Sequence, residues 1–171
     1  AFGNTTSAFV FKTMAAQVGT ISNFRVYSGT LKSDSHLTNL QTKADERIGQ
    51  ILIQRGKSQE NASEIAAGDF GAIAKLSNTH TGDTLSSSKD AASPLEPINF
   101  PESSFTVAVY PRSKADLDKM GNALSRVVEE DRTLHISRDP ETAEVLLSGI
   151  GEAHLQIVLE GVKRKYGVDL E

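Results

Sequence analysis

The chain has 171 residues, 38% hydrophobic and 23% charged, a composition typical of a globular protein with one domain or two small ones. It contains no cysteine, which excludes a disulfide framework and any thiolate metal site. Its formal charge of −4 opposes binding to a phosphate backbone on average, so RNA binding would depend on local basic patches.

The first half of the chain contains short runs of residues typical of β-strands, at residues 9–11, 21–27, 48–53 and 70–76. Turns are expected at residues 28–29, 32–35, 67–69 and 81–83, where glycine or short polar side chains let the backbone reverse. No helical period of comparable length occurs before residue 86. We therefore predict antiparallel strands that close into a small β-barrel over residues 1–88.

Residues 89–99 are predicted to be a semi-rigid linker, because this polar segment is interrupted by Pro94 and Pro97. The charge balance also changes there. Residues 1–88 carry 8 basic and 7 acidic side chains, whereas residues 89–171 carry 10 and 15. Two domains with different electrostatics are expected on either side of the linker.

The second half begins with an alternating strand pattern at residues 105–110, followed by a helix for which Ser113 is the expected N-cap and Asp116 its capping-box partner. The helix should run to about residue 130. Its apolar stripe is predicted to consist of Leu117, Met120, Leu124 and Val127. Strands at 133–137 and 144–148, with a turn at 138–141, are predicted to form a hairpin.

A second helix is predicted from about residue 151 to residue 166, ending at Gly167. Its apolar face consists of Leu155, Val158, Leu159 and Val162. A further strand begins at residues 168–170. The order β-α-β-β-α-β over residues 100–171 is that of a ferredoxin-like (split βαβ) sandwich, whose last strand we expect to be truncated in this chain.

The strongest local motif places Gly149 and Gly151 between a predicted strand and a predicted helix, with His154 close behind. Backbone N–H groups exposed at such glycines would make residues 149–154 an independent phosphate-binding module. Alternatively, the glycines only permit a tight turn, and His154 is an ordinary hydrogen-bonded histidine. A lone Gly-x-Gly is a weak signal, and spacing alone leaves both interpretations open.

Clusters of charge provide the other candidate sites. The candidate RNA contacts are Arg47, Arg55 and Lys57 in the first half, and Lys163, Arg164 and Lys165 in the second. For each cluster the alternative is a solvated face. The acidic run 129–131, placed unfavourably at the end of a helix, would suit a basic partner or simply face solvent.

Several kinds of chemistry have no support in the sequence. No segment matches the G-x-x-x-x-G-K-[ST] pattern that holds a nucleotide triphosphate, so we expect no GTP hydrolysis and no bound cofactor here. The four histidines lack metal-ligand spacing, and no catalytic residue is expected. The sequence contains no run of about 18 apolar residues, so we expect no membrane partner.

A series of segments resembles a known family. Residues 9–13 (FVFKT), 24–33 (FRVYSGTLKS), 67–69 (AGD) and 81–85 (TGDTL) resemble the second domain of elongation factor G. Residues 100–102 (FPE), 114–116 (KAD), 129–131 (EED), 141–142 (ET) and 148–155 (SGIGEAHL) resemble its third domain. The resemblance covers nearly the whole chain and is specific as a series.

The resemblance implies a translation-factor β-barrel followed by a ferredoxin-like domain, taken from the middle of a cytoplasmic GTPase that acts in translational elongation and translocation. The barrel would contact small-subunit ribosomal RNA. The second domain would lie near a small-subunit protein and would couple GTP hydrolysis to translocation. The parent chain is expected to supply a GTPase domain, which binds GTP and Mg²⁺, and C-terminal domains.

By the same resemblance, Gly149, Gly151 and His154 match the segment that lines the interdomain pocket where fusidic acid binds. The sequence also departs from the family pattern, with Ala153 and Gln156 where Leu and Glu are usual. Arg132 and Ser103 each replace a common proline. These departures leave open a ribosomal-protection or other divergent translational GTPase. Independently of them, the chain could be a purely structural spacer that holds other domains apart.

Overall fold

The computed structural model describes residues 5–16, 19–56, 58–89 and 93–171. The chain divides into two compact units, Ala1–Ile98 and Asn99–Glu171. The regular elements among the described residues of the first unit are strands, whereas those of the second unit are a sheet and two helices. The predicted fold class, an all-β barrel followed by a ferredoxin-like α+β sandwich, is confirmed. No helix of the described residues is long and apolar enough to cross a membrane.

The described part of the first unit contains ten strands. They are β1 (Ser7–Ala16), β2 (Gly19–Ser28), β3 (Thr30–Lys32), β4 (Ser35–Asn39), β5 (Asp45–Ile48), β6 (Ile51–Arg55), β7 (Ser58–Ala62), β8 (Glu64–Ala66), β9 (Phe70–Ala74) and β10 (Thr84–Ser86). Eight form one antiparallel sheet in the order β5-β4-β10-β1-β2-β9-β6-β7, and β3 pairs with β8. Strands towards both ends of that order contribute to one apolar core, so the sheet curls around it as a barrel wall.

The predicted single strand at residues 48–53 is wrong, because two strands occupy this region. Ile48 ends β5 and Ile51 begins β6, and both side chains are fully buried in the same core. In one continuous strand, residues three apart would point to opposite faces. The chain therefore has to change direction at Gly49 and Gln50 to bring both isoleucines inside.

A buried carboxylate holds the loop before β10. Glu46 is 3% exposed and accepts hydrogen bonds from the N–H groups of Ser77 (3.2 Å) and Asn78 (2.5 Å). It also accepts a bond of 2.8 Å from the Thr79 hydroxyl. Since buried carboxylates are costly without such donors, this loop is fixed together with the barrel.

The second unit consists of β11 (Phe105–Val109), α1 (Lys114–Glu130), β12 (His135–Arg138), β13 (Val145–Gly149) and α2 (Glu152–Tyr166). Its sheet has the order β11-β13-β12. Residues 169–171 run antiparallel to residues 110–112, with Tyr110 N–H donating to the Glu171 carbonyl at 2.7 Å. The final segment thus starts a fourth strand beside β11, which is the ferredoxin-like arrangement.

Local signals set the ends of both helices. The Ser113 Oγ accepts from Asp116 N–H at 3.2 Å and donates to the Asp116 carboxylate at 2.6 Å, as the capping pattern predicts. Gly167 ends α2 in the left-handed conformation, with φ of 64°.

The predicted apolar stripe of α1 is wrong at one position. Met120 and Leu124 are buried, but Leu117 is 56% exposed. Leu117 lines an open depression of about 530 Å³ together with Ile136 and Val145 of the sheet, so its side chain remains largely uncovered.

Candidate functional site

Gly149 closes β13 and is buried against the first turn of α2. A methyl group on its Cα would lie 2.6 Å from Leu155 Cδ2 and 2.9 Å from His154 Nδ1, well inside normal contact distance. Leu155 is 2% exposed and belongs to the core, so it has little room to move aside. Packing therefore requires a glycine at this position.

At Gly151, unlike Gly149, a side chain would meet no steric obstacle. Its φ of 173° and ψ of 170° are extended values that any residue adopts. No atom lies within 4 Å of the position that a Cβ would occupy. It is the N-cap of α2 and supplies no side-chain hydrogen bond to the helix. Neither backbone conformation nor packing explains this glycine.

His154 joins the strand-to-helix turn to the end of α1. Its Nδ1 accepts a hydrogen bond from Ile150 N–H at 3.3 Å, and its Nε2 lies 3.0 Å from Asp131 Oδ2. Because Nδ1 is an acceptor, the proton of the neutral ring lies on Nε2 and is donated to the carboxylate. We call this pair, His154 with Asp131, the histidine clasp.

Asp131 is the C-cap of α1 and also organises the following turn. It accepts from the Thr133 hydroxyl at 2.6 Å and from the Thr133 N–H at 2.9 Å. Partial burial raises the pKa of Asp131, but the hydrogen bonds from Thr133 and His154 outweigh burial, and the pKa lies below its ordinary value. The carboxylate is therefore ionised and held as an acceptor at neutral pH.

The acidic run 129–131 has partners within its own unit. Glu130 forms an ion pair with Lys165, and Asp131 belongs to the histidine clasp. These contacts offset the unfavourable position of the run at a helix C-terminus. A basic partner is not needed to explain the placement of these two carboxylates.

The basic run at the end of α2 is only partly available to a partner. Lys163 forms an ion pair with Asp169 at 2.7 Å, and Lys165 pairs with Glu130. Arg164 is exposed and forms no ion pair with any described residue. Three cations in the last turn of a helix also complement its macrodipole, which gives the run a structural role.

The structure separates the basic candidates of the barrel. Arg47 is exposed on β5 and lines a depression of about 540 Å³ together with Gln50 and Lys75. Arg55 lies at the far end of β6, 3.6 Å from the Glu60 carboxylate. Lys57 lies outside the described residues. Sequence reasoning missed Lys75, because its neighbourhood with Arg47 depends on the pairing of distant strands.

The turn at residues 149–154 has fewer free donors for an anion than its sequence indicates. The Ile150 N–H is already donated to His154, and the first turn of α2 carries the carboxylate of Glu152. What the turn does present is the side chain of Ile150, which is 47% exposed. The described residues contain no group of three or more His, Asp or Glu side chains placed to hold a metal.

Comparisons with known proteins agree along the chain. The family model for elongation factor G domain 2 matches residues 5–88, and that for elongation factor G, domain III, matches residues 100–171. A crystal structure of a protein from Thermus thermophilus is similar to 99% of this chain, with 30% sequence identity and a TM-score of 0.84. The chain spans 26% of the length of that protein.

Proposed function

Because the chain belongs to the elongation factor G family, of which it carries domains II and III, we propose that it is the noncatalytic centre of a ribosome-contacting GTPase. The parent protein would act in the cytoplasm, in the elongation and translocation steps of translation. The order of the two domain matches along one chain supports this proposal most directly.

In this proposal the barrel contacts RNA of the small ribosomal subunit. Arg47 and Lys75 support that role, because both line one depression and place two cations within reach of neighbouring phosphates. The 8 basic and 7 acidic side chains of residues 1–88 leave the barrel without the acidic excess of the second unit.

The second unit would couple the barrel to the GTPase domain and the C-terminal domains of the parent, and to a small-subunit protein. Its contact would be the turn at residues 149–154, where Ile150 projects from a backbone held on both sides. The Ile150 N–H bonds to His154, and its carbonyl accepts from the Ser104 hydroxyl at 3.3 Å. An exposed apolar tip on a fixed turn suits docking against a neighbouring domain.

GTP and Mg²⁺ do not fit the residues present here. The sequence has no phosphate-binding loop, and the described residues include no cluster of acidic or histidine ligands. Hydrolysis would therefore belong to the GTPase domain of the parent. The 171-residue chain should release no more phosphate from GTP than a protein-free control.

Co-sedimentation of the chain with small ribosomal subunits tests the RNA contact. We expect binding that weakens as the salt concentration rises, and further weakening in the double variant Arg47→Gln, Lys75→Gln. Arg132→Gln is the matched control, because Arg132 is exposed but belongs to the second unit. Absence of binding at low salt, or equal loss in control and double variant, would contradict the proposal.

A ribosomal-protection relative is the second candidate, favoured by Gln156, which replaces the usual acidic residue. Its amide donates to Glu152 at 3.3 Å on the exposed face of α2, where a carboxylate would instead repel Glu152. A single-turnover translocation assay with the full-length parent separates the candidates. Movement of messenger RNA supports a translocase, whereas ribosome-stimulated GTP hydrolysis without movement supports the relative.

A further inference from the structure

Aromatic residues of the barrel are distributed unusually between its core and its outer face. Among the described residues of the first unit, Phe24 is the one aromatic residue in the apolar core, which is otherwise aliphatic. The other four described aromatic residues of this unit lie on β1, β2 and β9. Phe11, Tyr27 and Phe70 are exposed, whereas Phe9 is buried beside Tyr27.

These side chains form a continuous row with Arg25 in its middle. Phe11 meets Phe70 edge to face, with ring centroids 5.8 Å apart. The Arg25 guanidinium lies 5.3 Å from the Phe70 ring and 5.4 Å from the Tyr27 ring. Tyr27 in turn meets Phe9 edge to face at 6.4 Å. We call these five residues the aromatic row.

Most of the row is accessible to solvent. Phe70 is 57% exposed, Tyr27 48% and Phe11 37%, whereas Phe9 is 8% exposed, so parts of three rings are accessible beside Arg25. A register shift between Val10 and Lys12 bulges β1 at this point, and Phe11 and Lys12 are both exposed there. Bulges of this kind re-aim side chains, and this one brings Phe11 against Phe70.

A depression of about 600 Å³ adjoins the Phe11 end of the row. Apolar side chains, among them Met14 and Ile53, form much of its lining. Asn23 and Gln54 add amide groups that both donate and accept hydrogen bonds. A site of this size and lining accepts a flat ring with polar edges.

We propose that the aromatic row is a stacking surface for unpaired nucleobases of RNA. Exposed rings on the strands of a β-barrel stack unpaired bases, and a guanidinium held against rings adds cation–π and phosphate contacts. Arg25 forms no ion pair with any described residue, so its charge is available to a phosphate.

Unpaired RNA suits the row better than a duplex or an acidic peptide. A paired base is already stacked and hides its faces, and an acidic peptide would use the charge of Arg25 but not the three exposed rings. This inference goes beyond the proposed function. It concerns a different set of residues from the depression at Arg47 and Lys75, and it stands on contacts that the family match does not supply.

Fluorescence anisotropy with the 171-residue chain tests the inference. The probe is a fluorescein-labelled single-stranded RNA of about ten nucleotides, long enough to span one β-barrel site, compared with the same strand in a duplex and with an abasic strand. We expect the single strand to bind most tightly. Phe70→Ala should weaken its binding roughly 5- to 150-fold, the range for loss of one aromatic stacking partner.

Two further variants separate stacking from charge and from general surface effects. Arg25→Lys keeps the charge but loses the planar group, so it should weaken single-strand binding while leaving abasic binding unchanged. Ile157→Ala is the matched control, because Ile157 is 69% exposed and lies on α2. It should bind RNA like the parent sequence. Thermal melting of each variant checks that the barrel remains folded.

Equal binding of the single strand, duplex and abasic strand would overturn the inference, because contact would then be with the backbone alone. Unchanged binding in both Phe70→Ala and Arg25→Lys would also overturn it, as would tight binding of an acidic peptide in preference to RNA. If Phe70→Ala and Arg25→Lys lose single-strand binding but still co-sediment with small ribosomal subunits in a salt-sensitive way, the stacking site is separate from the ribosome contact. That result would support the inference and leave the proposed function standing.

Discussion

Two loops of the molecule are each held by a carboxylate, in very different surroundings. Glu46 is 3% exposed and receives two backbone N–H groups and a hydroxyl, all from one barrel loop. The side chain of Asp131 is 38% exposed and accepts hydrogen bonds from Thr133 and from His154, which lies on another element. Buried backbone donors have no other acceptor when the carboxylate is lost, whereas donors to a partly exposed carboxylate can turn to water. The barrel loop is thus part of the folded core, and the strand-to-helix turn is held more lightly.

The largest effect should come from the barrel. Glu46→Ala removes the acceptor for the N–H groups of Ser77 and Asn78, and we expect it to lower the free energy of unfolding by about 3 kcal/mol. Denaturant unfolding measures this loss. Glu60→Ala is the control, because its carboxylate is 56% exposed and its ion pair among the described residues is with the exposed Arg55, so it should cost less than about 1 kcal/mol. Similar losses of unfolding free energy in Glu46→Ala and Glu60→Ala would contradict the expected difference between a buried and an exposed carboxylate.

The two glycines of the turn should respond in opposite directions. Gly149→Ala forces a methyl group against Leu155 and His154, and should destabilise the second unit by about 2 kcal/mol. Gly151→Ser fits the open N-cap position and adds a capping oxygen, so it should stabilise by about 0.3 kcal/mol. Hydrogen exchange of α2 amides reports both changes. Destabilisation by Gly151→Ser would show that the turn is tighter than its geometry indicates.

The histidine clasp should give a small loss of stability and the clearest dependence on pH. Since the pKa of Asp131 is lowered on folding, its contribution is present above the ordinary carboxyl pKa and disappears as the pH falls through the lowered value. Asp131→Asn should therefore cost less than about 1 kcal/mol at about pH 7, because the carboxylate is partly solvated, and progressively less as the pH falls through the lowered pKa of Asp131. The measurement is the difference in unfolding free energy between the two proteins. If this difference in unfolding free energy were constant with pH, ionisation of Asp131 would not contribute to stability.

Local signals predicted much of the fold. Ser113 and Gly167 mark helix ends through contacts within a few residues, and alternation of apolar side chains identified the central strands. The short polar strands were not predicted. Strand β7, for example, is held in place by hydrogen bonds to β6 and has exposed side chains along most of its length. Such a strand has no apolar pattern for a sequence to display.

The candidate site also combines features that local sequence predicts with features that depend on distant contacts. The motif at residues 149–154 was visible in the sequence, but its two glycines look alike there. Only the position of Leu155 against the end of β13 distinguishes Gly149 from Gly151. His154 and Asp131 are 23 positions apart in the sequence, so no local pattern predicts the hydrogen bond between them. The aromatic row likewise depends on the register between β2 and β9, which places Arg25 opposite Phe70.

The polar character of β7 also affects how the barrel behaves among other copies of itself. Within the described residues β7 is the last strand of the sheet order, so one of its sides has no partner strand there, and its side chains include Gln59, Glu60 and Asn61. An apolar edge would act as a template on which a second chain could add a strand. Charged and amide side chains along this edge keep its backbone groups hydrated and disfavour such growth. A strand that contributes little to the core thus protects the barrel from fibrous association.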